Sequence, residues 1–284
     1  MSAGVIYALC KSPAYYLFIG TYNRDKNKDG IYIYRFDPGN GSLQQTSSVS
    51  QVLNPAYLIP SASGHYVYAC TEAQTPGAGS VSSFAFDPVN SKATFINSQP
   101  SGGENPVYLT EHNSRQWLAV ANYTRGAHRY FAFHPGLPYA YCIEELSGMV
   151  SVYHYQHGRL DSLQRISAHY KRRADIDYSG ADIHISPDGS FLYASTRASE
   201  NIIVIYKIDQ QKGTLTRIAR QKTGGNHPRN FVIDPTGKYL LVANQMSNNV
   251  VVFERNTVTG LLKKTGNELK MPAPSCLQIK AYAL

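Results

Sequence analysis

GNHPRNFVIDPTGKYLLVANQMSNNVVVFE, residues 225–254, holds three short apolar runs separated by turn-forming residues. An opening dipeptide, His227-Pro228, precedes Arg229 and the run Phe231 to Ile233. The turn Asp234-Pro235-Thr236-Gly237 leads into Tyr239 to Ala243, which ends at Asn244-Gln245, and a third run spans Val250 to Phe253. Runs rich in β-branched and aromatic residues, punctuated by Pro, Gly, Asn and Asp, form antiparallel strands joined by tight turns. This stretch reads as an up-and-down meander.

Working outward, the same pattern returns along the chain. Opening dipeptides stand at Asn54-Pro55, Asn105-Pro106, Ala127-His128, Ser179-Gly180, His227-Pro228 and Ala273-Pro274, with second residues 51, 22, 52, 48 and 46 apart. Four spacings near fifty, each with room for four strands, predict an all-β chain folded as a β-propeller of four-stranded antiparallel blades. Tyr15 to Asp37 supplies a second and third strand without a first, and APSCLQIKAY (273–282) is a first strand without successors. The expectation is a single propeller domain over residues 1–284, its ring closed by strand 273–283 joining the N-terminal blade, residues 14–54. Closure removes two open sheet edges. The spacing of 22 is too short, because NPVYLTEHNSRQWLAVANYT (105–124) provides only two strands. About one and a half blades, on the order of 70 residues, are therefore expected to be missing between Tyr123 and Gly126. The Thr124–Arg125 junction is the place to test this.

Bulk properties narrow the function. Of 284 residues, 43% are hydrophobic and 16% charged, the balance of a globular chain, and no apolar run reaches the length of a membrane span. Twenty-two tyrosines against one tryptophan suit half-buried strand positions. The net charge of +8 is scattered, with Lys171-Arg172-Arg173 the only run. A nucleic-acid binder concentrates its charge, so the expected partner is an anionic small molecule rather than nucleic acid or membrane; oligomeric state is left open. Cys10, Cys70, Cys142 and Cys276 lack paired spacing and read as core residues. The N-terminal MSAGVIYALCKS has an apolar patch without a basic flank, so a cytoplasmic location is expected, or a periplasmic one if it is a trimmed export signal. No phosphate loop, dinucleotide fingerprint, nucleophile elbow or spaced histidine cluster occurs, so no cofactor and no metal are expected.

In a meandering blade, the start of the first strand and the end of the second meet on one face, around the channel mouth. The residue after each opening dipeptide is Ala56, Val107, Arg129, Ala181, Arg229 or Ser275. The closing residues are Tyr22, Glu72, Tyr123, Glu145, Arg197 and Gln245, preceded by Thr or Asn in five cases and by Glu144 in the sixth. The recurring Thr or Asn suggests one shared turn hydrogen bond. Glu145 thus shares a rim with Arg129 and Arg229, a carboxylate between guanidinium groups, suited to holding an anion and activating water. A plain rim salt bridge is the competing reading. Glu144, Arg197 and His227 stand beside them as substrate-binding candidates. Asp182 and His184, two apart on one strand face, are further candidates, with a satisfied buried pair as the alternative.

GAHRYFAFHP, AYCIEELSGMVSVY, ADIHISPDGSFLYASTRASENIIVI and TGGNHPRNFVIDPTGKYLLVANQMSNNVVVF, with YYLFIGTYN and GIYIYRFDPGNGSL at the start, resemble the propeller-type lactonase family. That family comprises seven-bladed bacterial 6-phosphogluconolactonases and fungal carboxymuconate lactonizing enzymes. The resemblance implies a site of Arg129 from a Gly-x-x-Arg motif, Glu145 from an Asn-Glu-Leu-Ser loop and Arg229 from Pro-Arg-Asn-Phe. Glu144 stands where the family usually has Asn, and the histidine of the family's Pro-His-x-His motif has no counterpart here. The implied activity is hydrolysis of a sugar lactone, 6-phosphoglucono-δ-lactone; a muconate-type lactonizing isomerase and a non-catalytic binding propeller are the alternatives.

Overall fold

A computed structural model describes residues 12–25, 27–71, 79–111, 115–122, 128–157, 159–169 and 178–283. Cys10, Glu72, Tyr123, the Thr124–Arg125 junction and the Lys171–Arg173 run lie outside these residues, as do the side chains of His128, Arg129 and Tyr178. Every regular element among the described residues is a β-strand. The first sheet joins β1 (Ala14–Thr21), β2 (Ile31–Phe36) and β3 (Leu43–Val49) to the last strand, β22 (Pro274–Tyr282), in the order β22-β1-β2-β3. The second contains β4 (Pro55–Pro60), β5 (Tyr66–Thr71), β6 (Ser80–Asp87) and β7 (Lys92–Pro100). A two-stranded sheet, β8 (Pro106–Glu111) with β9 (Leu118–Asn122), comes third. The fourth runs through β10 (His128–Phe133), β11 (Tyr139–Glu144), β12 (Met149–Gln156) and β13 (Arg159–Ser167). The fifth and sixth are β14 (Tyr178–Ile185), β15 (Phe191–Ala198), β16 (Ile202–Ile208), β17 (Leu215–Lys222), and β18 (Pro228–Ile233), β19 (Tyr239–Asn244), β20 (Asn249–Arg255), β21 (Leu262–Lys270).

All strand pairs are antiparallel, and the central strands of the sixth sheet are buried on both faces because neighbouring sheets cover them. Leu240 to Ala243 on β19 and Val250 to Phe253 on β20 show no exposure, which explains why these runs are continuously apolar rather than alternating. Outer strands such as β7 are largely exposed and correspondingly polar. The Asp234 turn is held by its own carboxylate, which accepts from the amides of Thr236 (2.9 Å) and Tyr239 (2.6 Å), while Gly237 takes the left-handed φ of 73° that the turn requires. Cys70, Cys142 and Cys276 are buried in the core.

Inner strands are tied to one another across sheets by a polar belt. Asp182 on β14 accepts from Asn230 Nδ2 (2.6 Å) and the Phe231 amide (3.0 Å) on β18; Asn230 Oδ1 accepts from the Leu277 amide on β22 (2.7 Å); Ser275 donates to the Pro55 carbonyl on β4 (3.1 Å). Each of these side chains is buried, and each is satisfied by the neighbouring strand, so the belt specifies which sheets sit side by side.

Candidate active site

The position after each opening dipeptide has a common local structure. On all six inner strands the ladder with the next strand skips it: the register shifts between Pro55 and Tyr57, Pro106 and Tyr108, His128 and Tyr130, Gly180 and Ile183, and Pro228 and Asn230, and Ser275 is skipped between Pro274 and Cys276. Ala56, Val107, Arg129, Ala181, Arg229 and Ser275 are therefore β-bulge residues. A bulge turns its extra residue out of the alternation that would send it into a sheet–sheet interface. In four of the five dipeptides whose first residue is among the described ones, that residue has positive φ, namely Asn54 (39°), Asn105 (48°), His227 (60°) and Ala273 (35°), a kink that starts the bulge. Two of the six bulges carry arginine.

The closing residues share this end of the blades. Pro55 pairs with Thr71, Pro106 with Asn122, His128 with Glu144, Ser179 with Arg197 and Pro228 with Asn244. Among the described residues the preceding Thr and Asn side chains share no single hydrogen bond. Asn122 and Asn244 donate to the carbonyls of Ser101 and Thr223, whereas Thr21 donates to Gly30. What recurs is a backbone bond, from the Tyr22 amide to the Ala273 carbonyl (2.9 Å) and from Gln245 to His227 (3.0 Å).

Around the mouth, contacts run from sheet to sheet. Glu145, just past β11, accepts from Arg197 Nη2 on β15 at 2.5 Å. Their side chains are 15% and 6% exposed, so the carboxylate reaches solvent while the guanidinium is enclosed. The same Nη2 donates to Ser179 Oγ (2.7 Å), and Arg197 Nη1 lies 3.2 Å from His227 Nε2. Guanidinium always donates, so this His227 nitrogen accepts and the ring proton sits on the other one. Two residues on, Arg229 places its guanidinium 5.5 Å from the centre of the Tyr22 ring, a cation–π contact with the first sheet. Glu145, Arg197, His227, Arg229 and Tyr22 thus form an arc over the fourth, fifth, sixth and first sheets. The Arg129 backbone joins the same end, next to the His128–Glu144 pair.

Two expected substrate contacts have other work. Glu144 faces away from the mouth: Arg165 Nε donates to it at 2.9 Å and Arg165 Nη2 also donates, with Ser151 Oγ at 2.6 Å and Ser147 completing the set. Arg165 above all, helped by the two hydroxyls against the cost of burial, holds its carboxyl down at about 2. Glu144 braces β11, β12 and β13. Asp182, 2% exposed, has its acceptors filled by Ile183, His184, Asn230 and Phe231. It is part of the belt. His184 lies 3.1 Å from Asp182 and edge-on to Phe231, with centroids 4.8 Å apart; burial would push its pKa down, yet the Asp182 carboxylate raises it overall. Both residues line a cavity of about 310 Å³ below the mouth with Tyr57, Tyr108 and Tyr130. The Arg197–Glu145 brace is the feature that sequence reasoning missed, since it joins residues of different sheets.

The profile of the lactonase family described as "Lactonase, 7-bladed beta-propeller" matches residues 16–131 and again 125–279. A 6-phosphogluconolactonase of Formosa agariphila is 32% identical over 354 aligned positions covering 94% of this chain and all of the relative. The chain belongs to the seven-bladed β-propeller lactonase family. Within the family, the 6-phosphogluconolactonase of Bacillus subtilis is 25% identical, with 92% of this chain and 97% of the relative covered. The crystal structure of a Bacteroides fragilis protein superimposes with a TM-score of 0.84 at 28% identity, covering 97% of this lactonase-family chain and 100% of its own. Among the described residues no helix is long and apolar enough to cross a membrane.

Proposed function

We propose that this chain hydrolyses a phosphorylated sugar lactone, 6-phosphoglucono-δ-lactone, to 6-phosphogluconate, with Glu145, Arg129 and Arg229 as its reacting-site residues. The observation that carries the assignment is the Glu145 carboxylate, partly exposed at the mouth, gripped by enclosed Arg197 and followed round the rim by bulged Arg229. In this scheme Glu145 orients a water molecule and takes its proton as the oxygen adds to the lactone carbonyl. The ring C–O bond then breaks, and the same proton passes to the departing alkoxide, leaving the open-chain acid. Arg229 and Arg129 supply cationic donors for the carbonyl oxygen as it becomes negative, or for the phosphate. Arg197 and His227 hold the carboxylate in place, which suits a step in which misplacement is costly. The relatives named above as 6-phosphogluconolactonases support the choice of substrate. A phosphorylated sugar does not cross membranes unaided, so the reaction is assigned to the cytoplasm.

The direct test follows acid release from enzymatically generated 6-phosphoglucono-δ-lactone. Wild-type chain is expected to accelerate it, and Glu145→Gln to lose at least about a hundredfold in rate. Equal rates for the two proteins would overturn the assignment.

A further inference from the structure

Two arginines at the mouth lean opposite ways. Arg197 on β15 reaches back to Glu145 of the fourth sheet. Arg229 on β18 reaches forward, its guanidinium carbon 5.5 Å from the centre of the Tyr22 ring beside the first sheet. The backbone on both sides of Arg229 is fixed. Pro228 pairs with Asn244, and the Asn230 side chain donates to Asp182 (2.6 Å) while accepting from the Leu277 amide (2.7 Å). These contacts set where the Arg229 Cα stands. They do not choose among the rotamers of its long, half-buried side chain, whose ordering costs entropy. The Tyr22 ring narrows that choice.

Tyr22 is itself fixed by the closing of the ring. Its amide donates to the Ala273 carbonyl (2.9 Å), immediately before β22. On one side of it, the Thr21 amide and hydroxyl donate to the Gly30 carbonyl at 2.9 and 3.0 Å. On the other, the Asn23 carbonyl accepts from the Asn54 amide at the entrance to the second sheet (2.8 Å). The residue that meets Arg229 is thus held by strands from both ends of the chain.

The kind of partner matters as much as its place. A carboxylate, as at Arg197, holds a guanidinium by its N–H donors and neutralises it. An aromatic ring attracts the flat face of the cation, spends none of those donors and leaves the charge in place. That suits an arginine whose task is to meet an anion.

We infer that Tyr22 is a positioning residue: its ring holds the Arg229 guanidinium on the first-sheet side of the mouth, oriented for an anionic group of the substrate, and ring closure puts that ring in place. The inference rests on the reading of Arg229 as a reacting-site cation.

The experiment compares wild type with Tyr22→Phe, which keeps the ring, and Tyr22→Leu, which removes it. The first readout is the NMR signal of the Arg229 Nε–H group, identified by its loss in Arg229→Lys. It is expected at one position in wild type and Tyr22→Phe, and displaced downfield in Tyr22→Leu, where the ring current is gone. The second is turnover of 6-phosphoglucono-δ-lactone. Tyr22→Leu is expected to lose at least about threefold in kcat/KM and Tyr22→Phe to stay within about twofold, with both melting within about 2 °C of wild type. A loss in kcat assigns Arg229 to the carbonyl oxygen and a loss in KM assigns it to the phosphate; either supports the inference. An Arg229 signal unmoved in Tyr22→Leu, or a Tyr22→Phe as impaired as Tyr22→Leu, would overturn it. If Tyr22→Leu does not fold, nuclear Overhauser contacts between the Tyr22 ring and the Arg229 side chain in wild type decide: their presence supports the inference and their absence refutes it. A chain that hydrolyses no lactone yet shows the signal displacement defeats the lactonase reading and leaves the placement of Arg229 by Tyr22 standing.

Discussion

Arg229 reaches the channel mouth because the ladder skips it, and its neighbours Pro228 and Asn230 are buried where it is not. Replacing it should therefore cost chemistry and spare folding. Arg229→Ala is expected to lower kcat by about 3–4 kcal/mol of transition-state stabilisation, with the melting temperature nearly unchanged; steady-state kinetics and a thermal melt check both. Glu144 predicts the opposite. Its carboxyl is held at about 2, below its unfolded value, so the stability it contributes is present above about pH 4.5 and is lost as pH falls towards 2. Glu144→Gln should lower stability at pH 7 by about 2 kcal/mol and flatten the acid limb of a denaturation series over that window, with activity per folded molecule retained. The adjacent pair Glu144-Glu145 shows what sequence could and could not convey. Spacing put both at the rim, but successive residues point oppositely, and only coordinates assign Arg165 to one and Arg197 to the other.

At the scale of strands, the inner strand of each sheet is a compromise between pairing and presentation. Its turns and apolar runs were legible because Pro, Gly and Asp act locally. The bulges were legible only as a column of positions, since no single residue type marks them. The inter-sheet belt left a fainter trace: Asp182 and Asn230 interrupt otherwise apolar runs, and a polar residue in such a place usually has a fixed partner. Close approach between the fourth and fifth sheets occurs at Gly180, where an added Cβ would lie 2.6 Å from the Glu144 carbonyl and 2.7 Å from Ile143. Gly180→Ala is expected to push the two sheets apart, lowering the melting temperature by several degrees and displacing Glu145, whose carbonyl accepts from the Gly180 amide at 2.9 Å. A melt and a kcat measurement on the same sample check this pair of effects.

For the whole molecule, the period near fifty was enough to name the architecture, and the one short spacing corresponds to the two-stranded sheet β8–β9. Ring closure depends on β22, which pairs along the full length of β1 and carries buried Cys276, Leu277 and Ser275 between the first, second and sixth sheets. Removing residues 273–284 should strip the inner strand from the first sheet and expose the β1 edge; the truncated chain is expected to be insoluble or to lack a cooperative melt by circular dichroism.

Because β22 is made last and β1 first, the N-terminal sheet cannot be completed while the chain is still leaving the ribosome. At typical elongation speeds the strands β1 to β3 wait roughly 10 to 50 seconds for their fourth member. During that interval Leu17, Phe18 and Ile19 lack the neighbour that shields them in the finished ring. A chain halted before residue 273 is therefore expected to keep that edge open to proteases, which digestion of ribosome-bound chains would show.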